Sequence, residues 1–238
     1  MTVKQQLLQG LKGGLIVSCQ ADPSTPLGHP QVLAALAAAA EQGGAVGIRA
    51  NAPANIAAIS KQVSVPIIAI YKQMYPDFEV YITPTPQAAQ EVFSCCTPSP
   101  AIIAFDATSR PRPNGHTWQE ILRFIQNELG ALAMADISTF EEGLAAAEAG
   151  ADLVATTLSG YTASTAYKRE QGGPDLELVA QLAKEVSCPI ICEGRIRSPQ
   201  EACEALCAGA WAVVVGTAIT AIDRVTANYV AAMKAHAR

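Results

Sequence analysis

Apolar residues gather in eight short runs along the chain, at 15–20, 45–50, 66–72, 101–106, 131–136, 152–157, 189–193 and 211–215. None of the runs alternates strictly between apolar and polar positions, which is the pattern of strands covered on both faces, as in a parallel sheet. Between them, apolar positions recur at helical spacing. Helices are predicted over 3–12, 29–42, 55–63, 87–95 and 118–129, the last closed by Gly130, then from 138, from 174, over 200–208 and over 223–236. Ser138-Thr-Phe-Glu141 has the spacing of a capping box. Two connections exceed an ordinary strand-to-helix loop: 73–86, which contains a strand-like Val80-Tyr-Ile-Thr83, and 158–173.

Eight strand–helix units in 238 residues predict an α/β protein, a (β/α)8 TIM barrel with a short N-terminal helix, as one domain over residues 1–238. An open doubly wound sheet is the competing closure, but Cys19-Gln-Ala-Asp22 stands where its glycine-rich first turn belongs. Internal repetition favours the barrel. Gly-Ala pairs precede strands at 44–45, 130–131, 150–151 and 209–210, and Val63-Ser-Val-Pro-Ile-Ile68 nearly repeats as Val186-Ser-Cys-Pro-Ile-Ile191. The last two open strands three and seven, four units apart and therefore opposite each other.

Composition narrows the function classes. Half of the residues are hydrophobic and 16% are charged, with no linker-like segment and no apolar run near the roughly 20 residues that span a bilayer. The N-terminus lacks the apolar stretch of a secretory signal, so a cytoplasmic protein without a membrane partner is expected. A net charge of −5 argues against nucleic acid. The seven cysteines are odd in number and form no C-x-x-C, which suits reduced thiols; Cys203 and Cys207, on one helix face, are expected to pack in the core. His29, His116 and His236 are scattered, so neither a metal nor a cofactor is expected.

In a barrel the residues closing the strands share one mouth, where active sites of this fold lie. They are Gln20, Arg49, Lys72, Asp106, Asp136, Thr157, Glu193 and Gly216. Asp106 and Thr157 fit equally well as ordinary wet strand ends. The loops after strands seven and eight commonly hold phosphate in this fold, which places Gly194, Arg195, Gly216 and Thr217 as a phosphate site. Lys72 and Glu193 then face each other close to that anchor. A lysine and a carboxylate without a metal cluster or cofactor motif suit proton abstraction next to a carbonyl, with either residue holding the mobile proton.

Ala69-Ile-Tyr-Lys-Gln-Met-Tyr-Pro-Asp77, Phe105-Asp-Ala-Thr108, Met134-Ala-Asp-Ile-Ser-Thr139, Thr156-Thr-Leu-Ser-Gly-Tyr-Thr162 and Cys192-Glu-Gly-Arg-Ile196 resemble the N-acetylmannosamine-6-phosphate 2-epimerase family over nearly the whole chain. The resemblance implies an isomerase that interconverts N-acetylmannosamine 6-phosphate and N-acetylglucosamine 6-phosphate in sialic acid catabolism. It implies Lys72 as the proton-transferring residue and Glu193 as its partner, with Gln20, Arg49, Asp136, Arg195 and the Gly216 loop on the substrate, where the strand-end position of Thr157 adds it as a further substrate-binding candidate. Gln73 departs from the family, whose members often carry Arg there. A Schiff-base aldolase using Lys72 and a non-catalytic sugar-phosphate sensor are the rival readings. The expected partners are an amino-sugar phosphate and a second copy of the chain.

Overall fold

Helix α1 (Val3–Leu11) opens the chain, capped by Thr2 and Gln5 in a reciprocal capping box. The units that follow are β1 (Leu15–Cys19), α2 (Pro30–Gln42), β2 (Gly47–Asn51), α3 (Pro53–Ile59), β3 (Ile67–Ile70), α4 (Pro86–Ser94), β4 (Ile102–Asp106) and α5 (Trp118–Arg123). The second half runs β5 (Leu132–Asp136), α6 (Phe140–Glu148), β6 (Leu153–Ala155), α7 (Tyr167–Gln171), α8 (Leu176–Glu185), β7 (Ile190–Glu193), α9 (Pro199–Cys207), β8 (Ala212–Val215), α10 (Thr217–Thr220) and α11 (Ile222–His236). This is a computed structural model, and it describes residues 1–236. All eight strands pair in parallel in sequence order, and β8 returns to β1, so the sheet is a closed barrel with β3 and β7 on opposite walls. Among the described residues no helix is long and apolar enough to cross a membrane.

Because both faces are covered, the strands divide their side chains between two apolar layers. Ile16, Ile68, Ile70, Leu132, Met134, Ile191 and Val214 fill the barrel interior, while Val17, Ile48, Phe105, Val154, Cys192 and Val213 meet the helices outside. Leu11 joins the inner cluster and Leu7 and Leu8 pack against it, so α1 closes the bottom of the barrel. Trp211 fastens that plug by donating its indole N–H to the Leu8 carbonyl at 2.7 Å.

Several local expectations are corrected. The capping box of α6 is built from Thr139 and Glu142, one residue later than expected, and Ser138 donates both its N–H and its hydroxyl to the same Glu142 carboxylate at 2.9 Å. The predicted helix 118–129 is α-helical only to Arg123. From Phe124 to Glu128 it widens, and the Leu129 N–H reaches five residues back to Phe124. The strand-like 80–83 segment makes one isolated bridge, Ile82 to Lys72. The connection 158–173 holds α7, and the helix expected from 174 begins at Leu176 behind an Asp175 cap. Cys203 and Cys207 do share a face of α9, but it is the solvent face; Ala205 points to the barrel and both thiols are exposed.

Candidate active site

Successive residues of a strand point to opposite sides, so the inner layer fixes which residues emerge inside the mouth. From Ile16, Ile68 and Ile70, Met134, Ala155, Ile191 and Val214, steps of two lead to Ser18 and Gln20, Lys72, Asp136, Thr157, Glu193 and Gly216. Gln20, Arg49, Lys72, Thr157, Glu193 and Gly216 line one cavity of about 1450 Å³. That is roomier than the ~300–1,000 Å³ usual for a small-molecule site.

At its floor Arg49 is 1% exposed and clamped between carboxylates. Its two Nη atoms donate to Asp136, at 3.1 Å to Oδ1 and 2.5 Å to Oδ2, and Nη1 also donates to Glu193 Oε2 and, at 3.3 Å, to Thr157 Oγ1. Thr157 donates in turn to Asp136 Oδ1 at 2.6 Å. Burial works against the Arg49 charge, but the Asp136 and Glu193 carboxylates outweigh it and hold the guanidinium protonated. Asp136 lies beneath the cavity, fully buried, as the anchor of this network.

Glu193 and Lys72 are both displaced from their ordinary protonation behaviour. Burial pushes the Glu193 carboxyl up to about 7 against the pull of Arg49, and the Asp136 charge adds to the rise. Lys72 is lowered, by the protein walls around it first and by the Arg49 charge second, with Glu193 and Asp136 opposing. The side chain itself is exposed in the mouth, so its desolvation is partial. Lys72 and Glu193 share the cavity, the ion-pair partner of Glu193 is Arg49, and no salt bridge joins Glu193 to Lys72. Lys72 lies two residues beyond β3, where its backbone N–H is held by Asn51 Oδ1 at 2.8 Å.

Gly194 has φ +113°, a conformation that favours glycine, and Arg195 follows in the left-handed region at φ +59°. This turn aims the Arg195 side chain back over the loop after β6. Its Nε donates to the Gly173 carbonyl at 2.7 Å, its Nη1 donates to the Ser159 carbonyl, and the guanidinium lies 5.9 Å from the centre of the Tyr161 ring. A side chain on Gly160 would collide with it. At the end of the neighbouring β8, Gly216 precedes α10, whose first amides, those of Thr217 and Ala218, have no intrahelical acceptor. Gln20 donates to Ser18 Oγ at 2.8 Å, and its Oε1 is buried without a partner.

Asp106 is not a wet strand end. It is fully buried and turned away from the cavity, accepting from Thr108 N and Oγ1 and from Arg110 and Arg112. Asn51, Ser18, Tyr161 and Arg224 belong to the mouth and escaped the sequence reading. Ser18 and Asn51 carried a signal, since each lies two residues from a recognised site residue. Tyr161 and Arg224 come from a loop and a helix, where strand parity gives no guide.

A closed barrel whose mouth joins a buried guanidinium–carboxylate network to a lysine and a second carboxylate, both shifted toward neutral pH, defines an acid–base enzyme of the (β/α)8 class. The model of a family described as "Putative N-acetylmannosamine-6-phosphate epimerase" matches residues 33–235. Proteins carrying the 2-epimerase form of that description include one from Thermosynechococcus vestitus, 49% identical over 95% of this chain and 96% of its own. Another, from Caldanaerobacter subterraneus subsp. tengcongensis, is 47% identical over 98% and 96%. The solved N-acetylmannosamine-6-phosphate 2-epimerase from Clostridium perfringens superposes with a TM-score of 0.88 at 43% identity, covering 94% of this chain and 95% of that one. The chain belongs to the N-acetylmannosamine-6-phosphate epimerase family.

Proposed function

We propose that the protein interconverts N-acetylmannosamine 6-phosphate and N-acetylglucosamine 6-phosphate by removing and returning the proton at C2. Family membership supports the substrate. The observation that carries the chemistry is the presence in one mouth of Lys72 and Glu193, a base of lowered and an acid of raised pKa. In the open-chain sugar C2 lies next to the C1 aldehyde. When a base takes the C2 proton, the C–H electron pair moves toward C1 and charge develops on the carbonyl oxygen, where a nearby cation stabilises it. Protonation from the other face inverts C2. Arg49, immobilised by Asp136 and Thr157, holds Glu193 and supplies fixed positive charge beneath the reacting carbon. Gln20 offers an acceptor, while Gly194, Arg195, Gly216 and Thr217 shape the phosphate end.

Incubation with N-acetylmannosamine 6-phosphate in deuterated water tests this reading. The expected result is N-acetylglucosamine 6-phosphate carrying deuterium at C2. Cleavage products would instead mark an aldolase, and unchanged sugar a sensor. None of these steps uses a metal or cofactor, so exhaustive chelation is expected to leave the rate unchanged. The composition supports a cytoplasmic enzyme, and α11, which buries none of its residues, supports a homodimer.

A further inference from the structure

Six cations line the mouth: Arg49, Lys72, Arg169, Arg195, Arg197 and Arg224. Most are already engaged. Arg49 is locked between Asp136 and Glu193, and Arg195 spends two donors on main-chain carbonyls. Arg169 lies over the Tyr161 ring at 5.5 Å, and Arg197, at the rim, pairs with Glu201 at 3.3 Å. Lys72 sits at the end of β3 and is the candidate for the proton transfer itself. That leaves Arg224, in the first turn of α11, where it lines the cavity together with Gly216, Thr217 and Ala218. Among the described residues it makes no ion pair. Its charge reaches Asp22 after β1 and Lys72 after β3 only as a last, small contribution, behind the Ser24 hydrogen bonds that lower Asp22 and the burial that lowers Lys72.

A phosphate dianion carries more charge than unengaged backbone amides neutralise, and an arginine can meet two of its oxygens at once. We propose that Arg224 is a phosphate-binding residue of this enzyme and that Arg195 acts chiefly as a clamp on the loop after β6. The inference rests on the epimerase reading and adds to it the cation that discriminates phosphorylated from free sugar. The mouth is therefore completed by α11, which also lends it Val225, Asn228 and Tyr229.

Steady-state kinetics on N-acetylmannosamine 6-phosphate, with inorganic phosphate as a competitive inhibitor, tests the assignment in wild type, Arg224→Ala and Arg224→Lys. Arg224→Ala is expected to raise both KM and the phosphate inhibition constant by about tenfold or more, with kcat falling less than KM rises. Arg224→Lys should recover part of both losses, as a mere disturbance of α11 would not. An Arg224→Ala enzyme whose KM and phosphate inhibition constant stay within about twofold of wild type, below the effect of one charge-assisted contact, overturns the inference while leaving the epimerase reading intact. A wild-type enzyme that binds phosphate but does not epimerise overturns the reading instead.

Discussion

Lys72 and Glu193 approach neutrality from opposite sides, and the cause differs for each. Glu193 is raised by burial in spite of Arg49, whereas Lys72 is lowered by its walls and by that same Arg49. One guanidinium thus opposes the shift of the acid and supports that of the base. If the two residues form a single proton-transfer unit, Lys72→Ala or Glu193→Gln alone should cost about 10² to 10⁴ in kcat while substrate still binds. The double variant should be far from additive in a full cycle. A Lys72→Ala enzyme keeping more than about a tenth of wild-type kcat, well short of that range, would move the assignment to another group. Glu193 also gives a stability signature. Its folded pKa of about 7 exceeds the ordinary 4.5, so the native state holds this proton more tightly than the unfolded chain does. Its stabilising contribution is complete below 4.5 and is lost as pH rises through about 7. Glu193→Gln should therefore raise the melting temperature relative to wild type at pH 8 but not at pH 4; the reverse order would refute the shift.

At the scale of elements, what was legible depended on whether a residue's surroundings are set by its own strand. Every strand was readable as a uniform apolar run, and seven of the eight polar closing residues lie at the mouth or directly beneath it because parity carries the inward register past the strand end. Asp106 was the exception. It has the right parity, yet Thr108, Arg110 and Arg112 in the following loop capture it, and no periodicity announces a loop that folds back on its own strand. The ion pair of Glu193 with Arg49 was hidden for a similar reason: the sequence supplied the wall positions but not the reach of each side chain across the floor. The Cys203 and Cys207 error had another source, because i, i+4 spacing defines a face without saying which way it looks. The Asp106 cluster is a load on the β4 loop that can be measured. Asp106→Ala would leave Arg112, 5% exposed, as a buried charge without a counter-charge. A loss of about 3–5 kcal/mol in denaturant unfolding is expected, the cost of breaking a buried pair from one side. A loss under about 1 kcal/mol, the range of exposed pairs, would show that the cluster is solvated.

For the whole molecule, the helix that ends the described chain is the part the barrel does not explain. α11 contacts its neighbour α10, buries no residue, and leaves Ile222 64%, Tyr229 71% and Met233 71% exposed. With Val225 these positions form one stripe at spacings of three and four, the pattern of a helix face meant to be covered, and its Val225 and Tyr229 border the mouth. Asp223 stands beside Arg224 in its first turn and Lys234 in its last, so two copies lying antiparallel about Tyr229 would set each Asp223 near the other copy's Lys234. The homodimer proposed above would cover the apolar stripe with a second copy of the chain. The same helix carries Arg224, so its seating bears on the active site as well as on assembly. Sedimentation equilibrium is expected to give a dimer for wild type and a monomer for a Tyr229→Asp, Met233→Asp double variant, because each buried carboxylate would go unpaired in the apolar stripe. The KM of that monomer for the phosphorylated sugar should rise, since α10 alone would then hold α11 beside the mouth. A wild-type chain that sediments as a monomer, or a double variant that stays dimeric, would place the assembly surface elsewhere and leave α11 as a helix held by α10 alone.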